Sequence, residues 1–241
     1  MCFNWKFKEQ NFESTAGLLI DYGVGEEKVP FVTLGLSTLF EFLYLFAINM
    51  LKDEDEKARY VDYLNKTIDI LPKVIEISKK FIRDNLLFMC MIDKTVICGR
   101  DMKFGLAREA VLKLQETIHV PALHYEIEEF LHGPVLQLSL NHSVFLIAHF
   151  YSDNKIQSIN DALEKTVVNS IFITFDNRNS YSRKNIIVLP KPAIPELSQL
   201  VTVIFFQVLS AMLRESLNIS EINPFTKKFR EKIIIKNINK R

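Results

Sequence analysis

Hydrophobic positions follow one pattern before about residue 84 and another after about residue 94. In the first part, a long apolar run (Phe31–Leu51) precedes a charged stretch (Lys52–Arg83). Apolar residues in the charged stretch, including Tyr60, Leu64 and Ile68, recur at the spacing of one face of a helix. We therefore predict that the chain is mainly helical from about residue 30 to Arg83.

Local breaks divide this helical part. Proline removes a backbone donor and its ring clashes with the preceding turn, so Pro72 is predicted to end one helix and to start another. Near the amino terminus, Leu18–Tyr22 could form a short strand. Gly23–Lys28 would then follow as a glycine-broken turn.

Short apolar runs alternate with helix-forming segments in the second part. The predicted strands are Thr95–Cys98, Ser143–Phe150, Ile171–Phe175 and Ile186–Leu189. The predicted helices are Leu106–Thr117, Ile156–Val168 and Pro195–Leu217. This alternation predicts an α/β fold with a parallel sheet covered on both faces. Such sheets bind ligands at the carboxyl ends of their strands, and here that edge includes Gly99–Asp101 and the residues after Phe150.

The apolar run Phe31–Leu51 has about the length of a membrane span. It contains Glu41 and Asn49, and an ionisable group at mid-span costs roughly 2–3 kcal/mol on insertion scales. A helix buried in a core or in a subunit interface is therefore favoured over a membrane helix. A second apolar stretch, Leu200–Leu213, is interrupted by polar residues and is predicted to be a core helix.

The composition is that of a globular protein, with 48% hydrophobic and 24% charged residues. A formal net charge of +1 gives no reason to expect binding to nucleic acid or to an anionic surface. The three cysteines have no paired spacing, which argues against a disulfide framework and favours a reducing, cytoplasmic setting. The first ten residues are polar and do not resemble a signal peptide.

Candidate chemistry lies in the helix after the first strand. Glu109, Lys113 and Glu116 follow the spacing i, i+4, i+7 and share one helical face. The three residues could form a solvated salt-bridge face, or a carboxylate held beside an ammonium for proton transfer at a carbon next to a carbonyl. Sixteen residues after Glu116, His132 precedes Gly-Pro, a break in the chain at which its ring could face a cleft.

These residues carry a resemblance to a known family. The run GRDMKFGLAREAVLKLQE (Gly99–Glu116), followed by EEFLHGP (Glu128–Pro134), resembles the second sugar isomerase (SIS) subdomain of the isomerase half of glucosamine-6-phosphate synthase. Asp21–Thr33 resembles the segment that joins the two SIS subdomains. Asn223–Lys232 resembles the tail of fructosamine-6-phosphate deglycases, and this tail favours the deglycase branch.

The resemblance implies a fold and a division into domains. The expected fold is an SIS-type three-layer α/β/α sandwich with a mainly parallel, flavodoxin-like sheet, preceded by long helices. The expected parts are a remnant of a preceding SIS subdomain (1–30), connecting helices (31–83), an SIS subdomain (84–217) and a carboxy-terminal tail (218–241).

The resemblance also implies catalytic roles. Glu116 matches the base that moves a proton between C1 and C2 of the open-chain sugar phosphate, and Lys113 lies beside it. His132 matches a histidine that assists ring opening in the active site of the neighbouring subunit. Lys232 is the nearest match to a tail lysine that closes over the sugar. Enolisation needs a positioned base and nearby cations, and no metal or organic cofactor is expected.

Four further positions are implied to bind the substrate, namely Val24, Gly25, Glu26 and Arg100. His119 and His124 are five residues apart, and we do not expect them to form a metal site. The expected partners are a sugar phosphate and further copies of the chain, as a dimer or a higher oligomer.

The sequence departs from the family in one respect that concerns function. A complete SIS enzyme has a preceding subdomain whose Ser/Thr-rich loop holds the sugar phosphate, and only about twenty residues precede the inter-subdomain segment here. Ser180–Ser182 lies too late in the chain to match that loop. Two functions stay open: an isomerase or deglycase whose phosphate-binding half is on a separate chain, and an inactive SIS module that binds a sugar phosphate or a partner protein.

Overall fold

A computed structural model describes residues 20–25, 27, 31–148, 150, 154–166, 169–177, 183–219, 226 and 229. The chain divides into two compact units, Met1–Ile68 and Asp69–Arg241. Each unit is described by itself below. The domain boundaries expected from the sequence stay predictions.

Helix α1 (Leu34–Asn49) belongs to the first unit and is capped by a distant carboxylate. The residue before the helix, Thr33, makes no side-chain capping bond. Instead, the Glu27 carboxylate accepts the backbone N–H groups of Leu34 at 2.8 Å and Gly35 at 3.4 Å, and that of Thr33. A carboxylate at this end is favourable because the first N–H groups of a helix have no partner within it. Part of the segment that resembles the family therefore has a structural role.

In the glycine turn predicted over Gly23–Lys28, Gly23 and Gly25 have positive φ angles of 82° and 68°, and residues 26 and 28 lie outside the described residues. The possible strand over Leu18–Tyr22 does not form at residues 20–22, which are irregular, and residues 18 and 19 lie outside the described residues.

Much of the apolar surface of α1 is exposed in the described part of the first unit. Only Gly35 and Ile48 are buried in this helix, and Leu43 and Phe46 are exposed. Of the two alternatives given for Phe31–Leu51, burial in a core is not seen in the described residues. At 16 residues the helix is also shorter than the roughly 20 that a membrane span needs. Burial in a subunit interface stays a prediction.

Helix α2 (Glu54–Asp84) corrects the expectation that Pro72 separates two helices. It runs without a break through Pro72, which is exposed on its surface. A proline costs one hydrogen bond and a local clash, but the turns on either side keep their own bonds. Buried residues on both sides, such as Leu64, Val74 and Ile82, supply packing that offsets this cost. The short helix α3 (Leu86–Cys90) follows.

The described part of the second unit contains a five-stranded parallel sheet with the order β2-β1-β3-β4-β5. Its strands are β1 (Lys94–Gly99), β2 (Ala122–Glu126), β3 (His142–Ile147), β4 (Asn169–Thr174) and β5 (Ile186–Val188). The four strands predicted from the sequence are confirmed. The edge strand β2 was not predicted, because only Ala122 is buried in it and it lacks the β-branched run typical of buried strands.

The helices of this unit are α4 (Met102–Thr117), α5 (Ile127–Leu131), α6 (Asn154–Lys165) and α7 (Ser198–Ser216). Short 3-10 turns at Pro134–Gln137 and Pro195–Leu197 follow α5 and precede α7. One helical segment of the described chain, Pro195–Ser216, is long and apolar enough to cross a membrane, but 67% of its most apolar window is buried. The core helix predicted over Leu200–Leu213 is thereby confirmed.

Helices cover both faces of the sheet. On one face, the ring of Phe145 in β3 lies 5.8 Å from that of Phe206 in α7, and α4 packs against α7. Neighbouring strand residues point to opposite faces, so Val144 and Leu146 face the other layer. There they pack with side chains of α5 and α6, namely Ile127, Phe130, Ile156 and Leu163. The architecture is the three-layer α/β/α sandwich expected from the sequence.

The unbroken course of α2 leads to a first prediction. Replacing Pro72 with alanine restores a backbone donor and removes the ring from the preceding turn, and the residue is exposed. We expect the free energy of unfolding to rise by about 1–3 kcal/mol in urea denaturation. The exposed neighbour Lys73→Ala is the control and should change stability by much less. Equal or lower stability of Pro72→Ala would mean that the proline is required by the path of this helix.

Candidate functional site

The turn from β1 into α4 brings the backbone of α4 very close to the end of the strand. A Cβ added at Gly99 would lie 2.5 Å from the carbonyl oxygen of Lys103, so only glycine fits. Asp101, which precedes the helix, has a φ of 52° and makes no side-chain capping bond. Such a backbone conformation is strained for a residue with a side chain, and strain of this kind clusters at functional sites.

A buried ammonium organises the far end of α4. The Lys113 side chain is 3% exposed, and its Nζ lies 3.1 Å from Glu116 Oε2 and 3.6 Å from Glu109 Oε1. Burial raises the pKa of Glu109, the charge of Glu116 adds to this effect, and the charge of Lys113 opposes it. A solvated salt-bridge face would leave the lysine in water. The structure instead has a buried cation that holds two partly buried carboxylates.

His132 lies on the other side of the sheet from Glu116. It is the exposed residue that ends α5, and Pro134 begins the 3-10 turn two residues later. Its imidazole makes no hydrogen bond or ion pair with another residue of the described chain. Because α4 and α5 cover opposite faces, the sheet separates these two candidate residues within one chain.

Arg100 is held by carboxylates at the carboxyl ends of β1 and β2. Its guanidinium lies 2.6 Å from Glu128 Oε1 and 3.9 Å from Glu126 Oε1. Lys155 also pairs with Glu128, at 2.6 Å from Oε2, and together Lys155 and Arg100 lower the pKa of that carboxyl group. Glu126 additionally accepts the backbone N–H of Glu128 at 2.6 Å and caps α5. Arg100 is therefore committed to a surface ion-pair network.

The other candidates divide between the first unit and the part of the chain that is not described. Val24 and Gly25 lie in the irregular segment of the first unit. Glu26, Lys232 and the serine cluster at 180–182 lie outside the described residues. Within the described ranges, no group of three or more histidine, cysteine or acidic side chains is placed to hold a metal ion.

Lys103 is a residue that sequence reasoning missed. It is the second residue of α4, is 2% exposed, and donates a hydrogen bond of 2.7 Å to Ser198 Oγ at the start of α7. Its ammonium lies 5.4 Å from the centre of the Phe175 ring. Burial lowers the pKa of Lys103 to about 7. Its position soon after a strand was the signal that the sequence offered for Lys103. That signal is weak, because a lysine in the first turn of a helix usually faces water.

Comparison with solved structures defines the class of fold, which is an α/β fold of the SIS type. A protein from Clostridium difficile 630 assigned as a phosphosugar isomerase superposes with a TM-score of 0.80 at 20% identity, over 96% of this chain and 66% of that one. The carboxy-terminal domain of glucosamine-fructose-6-phosphate aminotransferase from Francisella tularensis gives 0.65 at 20% identity, over 80% and 56%.

A third similar structure is an Escherichia coli CFT073 protein in complex with a sugar phosphate, with a TM-score of 0.55 at 16% identity, over 70% of this chain and 95% of that one. At these identities the likeness is one of fold. The chain spans less than two-thirds of the length of the Clostridium and Francisella structures. No protein-family model matches the sequence, and no curated protein matches it.

The buried Lys103 predicts a dependence of stability on pH. Its pKa is about 7 in the folded chain and near 10.5 in the unfolded chain, so the unfolded state binds more protons between these values. Stability should therefore rise with pH, by about 2 kcal/mol from pH 7 to pH 9. Lys103→Met should lose this increment and be more stable than the wild type at pH 6.

Other groups titrate in the same range, so the measured quantity is the difference between wild type and variant in urea denaturation at each pH. Lys73→Met replaces an exposed lysine and should keep the wild-type increment. An unchanged pH profile in Lys103→Met would contradict the assignment of the increment to Lys103.

Proposed function

We propose that this chain is the catalytic part of a sugar-phosphate isomerase or deglycase that acts on a ketose or fructosamine 6-phosphate. The reaction is the transfer of a proton between C1 and C2 of the open-chain substrate. The observation that carries this proposal is the buried Lys113 between Glu109 and Glu116. It is supported by the SIS-type fold and by the sequence resemblance around these residues.

Glu116 is proposed as the base. A carboxylate next to a fixed ammonium is oriented without side-chain rearrangement, and the 3.1 Å contact with Lys113 supplies this orientation. The same cation can stabilise negative charge that develops on the substrate oxygen. Glu109, whose pKa is raised by burial, is the nearest further carboxyl group that could exchange a proton with the site.

His132 is proposed to open the sugar ring in the site of a neighbouring subunit. The sheet lies between His132 and Glu116 within one chain, so both can act on one sugar only if they come from different chains. This argument supports a homodimer or a higher oligomer. Imidazole is the side chain most often used for proton exchange at neutral pH, which suits it to ring opening.

The substrate class follows from the relatives. The similar structures include a protein assigned as a phosphosugar isomerase and a domain of glucosamine-fructose-6-phosphate aminotransferase, and a third protein was solved with a sugar phosphate. We propose that this chain likewise binds a sugar phosphate, with Val24, Gly25, Glu26 and Lys232 as pocket residues, and that a separate SIS half holds the phosphate. A reducing, cytoplasmic setting fits such a metabolite.

A second candidate is an SIS module that binds a sugar phosphate or a partner protein without turnover. It is favoured by Arg100, which the structure ties to Glu126 and Glu128 rather than leaving it available for a substrate. Measurement of turnover distinguishes the two candidates.

Supplying an SIS half in trans tests the enzymatic proposal. The purified chain should show negligible activity, because the binding energy of the phosphate would orient the substrate against Glu116. With the added half, release of glucose 6-phosphate from a fructosamine 6-phosphate should appear and should fall about 10²–10⁴-fold in Glu116→Gln. Binding of the substrate without any product would instead support the non-catalytic module.

Mixed oligomers of that active assembly test the sharing of sites. His132→Ala should depress reaction from the cyclic substrate far more than from an open-chain analogue, whereas Glu116→Gln should depress both by about 10²–10⁴-fold. If sites are shared, a heterodimer of the two variants has one site with both groups intact. Equal mixing of dimers should then restore up to about a quarter of wild-type activity.

If His132 serves the site of its own chain, every site in a mixed dimer lacks one group and mixing restores nothing. The matched control mixes Glu116→Gln chains with Glu116→Gln,His132→Ala chains. This combination has no intact site in either arrangement and must stay inactive.

A further inference from the structure

The strand order marks a second place at which this fold can bind a ligand. From β1 the chain passes through α4 to β2 on one side, whereas β3 pairs with β1 on the other side. The connection from β3 to β4 runs through α6 on the opposite face. In open parallel sheets, ligands bind outside the carboxyl ends of the strands at such a switch point. Here that place is the carboxyl edge of β1 and β3.

The ammonium of Lys103 lies at this place. The backbone of Lys103 lies next to Gly99 at the end of β1, and its Nζ lies near the ring of Phe175, which follows β4. Since β3 lies between β1 and β4 in the sheet, the side chain extends over the carboxyl end of β3. A cation in this position faces the edge at which ligands of this topology are held.

Two helix amino termini meet at the same ammonium. Lys103 lies in the first turn of α4, and its hydrogen-bond acceptor Ser198 is the first residue of α7. Neither Asp101 nor Leu197, the residues that precede these helices, makes a side-chain capping bond. The N–H groups of Lys103 and Phe104 donate to the carbonyls of Arg100 and Asp101. The 3-10 turn Pro195–Leu197, which carries Glu196, leads directly into α7, and the N–H of Ser198 donates to the carbonyl of Pro195. The positive ends of the two helix dipoles still favour a negative charge near the ammonium.

The charge of Lys103 is not balanced within the described chain. Its ammonium makes one hydrogen bond, to a neutral hydroxyl, and no ion pair with any described residue. Burial is the single cause of its lowered pKa. The charged side chains on the elements around it are Arg100, Asp101, Asp176, Lys191 and Glu196. Arg100 is bound to other carboxylates, and none of the five shifts the pKa of Lys103.

We propose that the carboxyl edge of β1 and β3 binds a phosphate group, held by Lys103 and Ser198 beside the amino-terminal ends of α4 and α7. A hydrogen bond from the Lys103 ammonium to a phosphate dianion is stronger than its present hydrogen bond to the neutral hydroxyl of Ser198. The site is separate from the Glu116 site. Lys103 and Glu116 are 13 residues apart on one helix, about 20 Å, too far for the phosphate and the reacting carbon of one hexose phosphate.

Sulfate is the first probe, because its charge stays constant while Lys103 titrates. In a ¹⁵N NMR titration at fixed ionic strength, sulfate should shift the amide signals of the first turns of α4 and α7. With a pKa of about 7, most Lys103 side chains are charged at pH 6 and few at pH 9. Binding should therefore be about tenfold or more weaker at pH 9.

Variants locate the site. Lys103→Met should abolish the shifts, and because removal of a buried charge is expected to stabilise the fold, unfolding would not explain the loss. Ser198→Ala should weaken binding several-fold. Glu116→Gln and Lys73→Met should bind sulfate as the wild type does, which separates this test from that of the proposed function. Unchanged binding in Lys103→Met, or shifts confined to other parts of the chain, would overturn the proposal.

The source of the phosphate group is distinguished by three further titrations of the Glu116→Gln variant. If inorganic phosphate and a hexose 6-phosphate bind with equal affinity, the phosphate group alone is sufficient for binding. If the hexose 6-phosphate binds much more tightly than inorganic phosphate, the ligand is a phosphate ester. The unphosphorylated hexose should not bind at this edge, and binding of the hexose but not of phosphate would contradict the proposal.

Discussion

Gly99 is the point at which the sheet meets the helix that carries most of the candidate chemistry. The carbonyl of Lys103 approaches so closely that no side chain can be placed at residue 99. This close approach fixes where α4 begins, and the helical repeat then fixes which residues face inward along its length. Lys103 and Lys113 are both buried as a result, near opposite ends of the helix. An error in this turn would displace both groups at once.

The sheet acts as a barrier as well as a scaffold. A parallel sheet must be covered on both faces, and here α4 and α7 cover one face while α5 and α6 cover the other. Glu116 and His132 belong to these different layers. Any chemistry that needs both must use surfaces of two chains, so an oligomer is a requirement of the proposed mechanism. The exposed apolar residues of α1, such as Leu43 and Phe46, provide surface that an oligomer could bury.

Strands that are buried on both faces of the sheet could be predicted from the sequence. An exposed edge strand and the electrostatic role of a charged group could not. β1, β3 and β4 were predictable because continuous apolar runs are needed in the middle of a parallel sheet. The edge strand β2 has one buried residue and gave no such run. Pro72 was misjudged because local propensity does not include the packing on both sides of α2. The spacing of Glu109, Lys113 and Glu116 was visible, but the burial that distinguishes it from a solvated face was not.

The two buried lysines of α4 differ in a way that no sequence pattern contains. Lys113 lies between Glu109 and Glu116, so its charge is compensated inside the chain and it serves to hold those carboxylates. Lys103 has a hydroxyl and an aromatic ring as neighbours, and the folded state bears the cost of its charge near neutral pH. A methionine at residue 103 would remove that cost. A buried charge without a counter-ion is therefore better explained by a need for charge at that edge than by stability. An anionic ligand at the switch point meets that need, because it supplies the missing counter-ion only when it is bound.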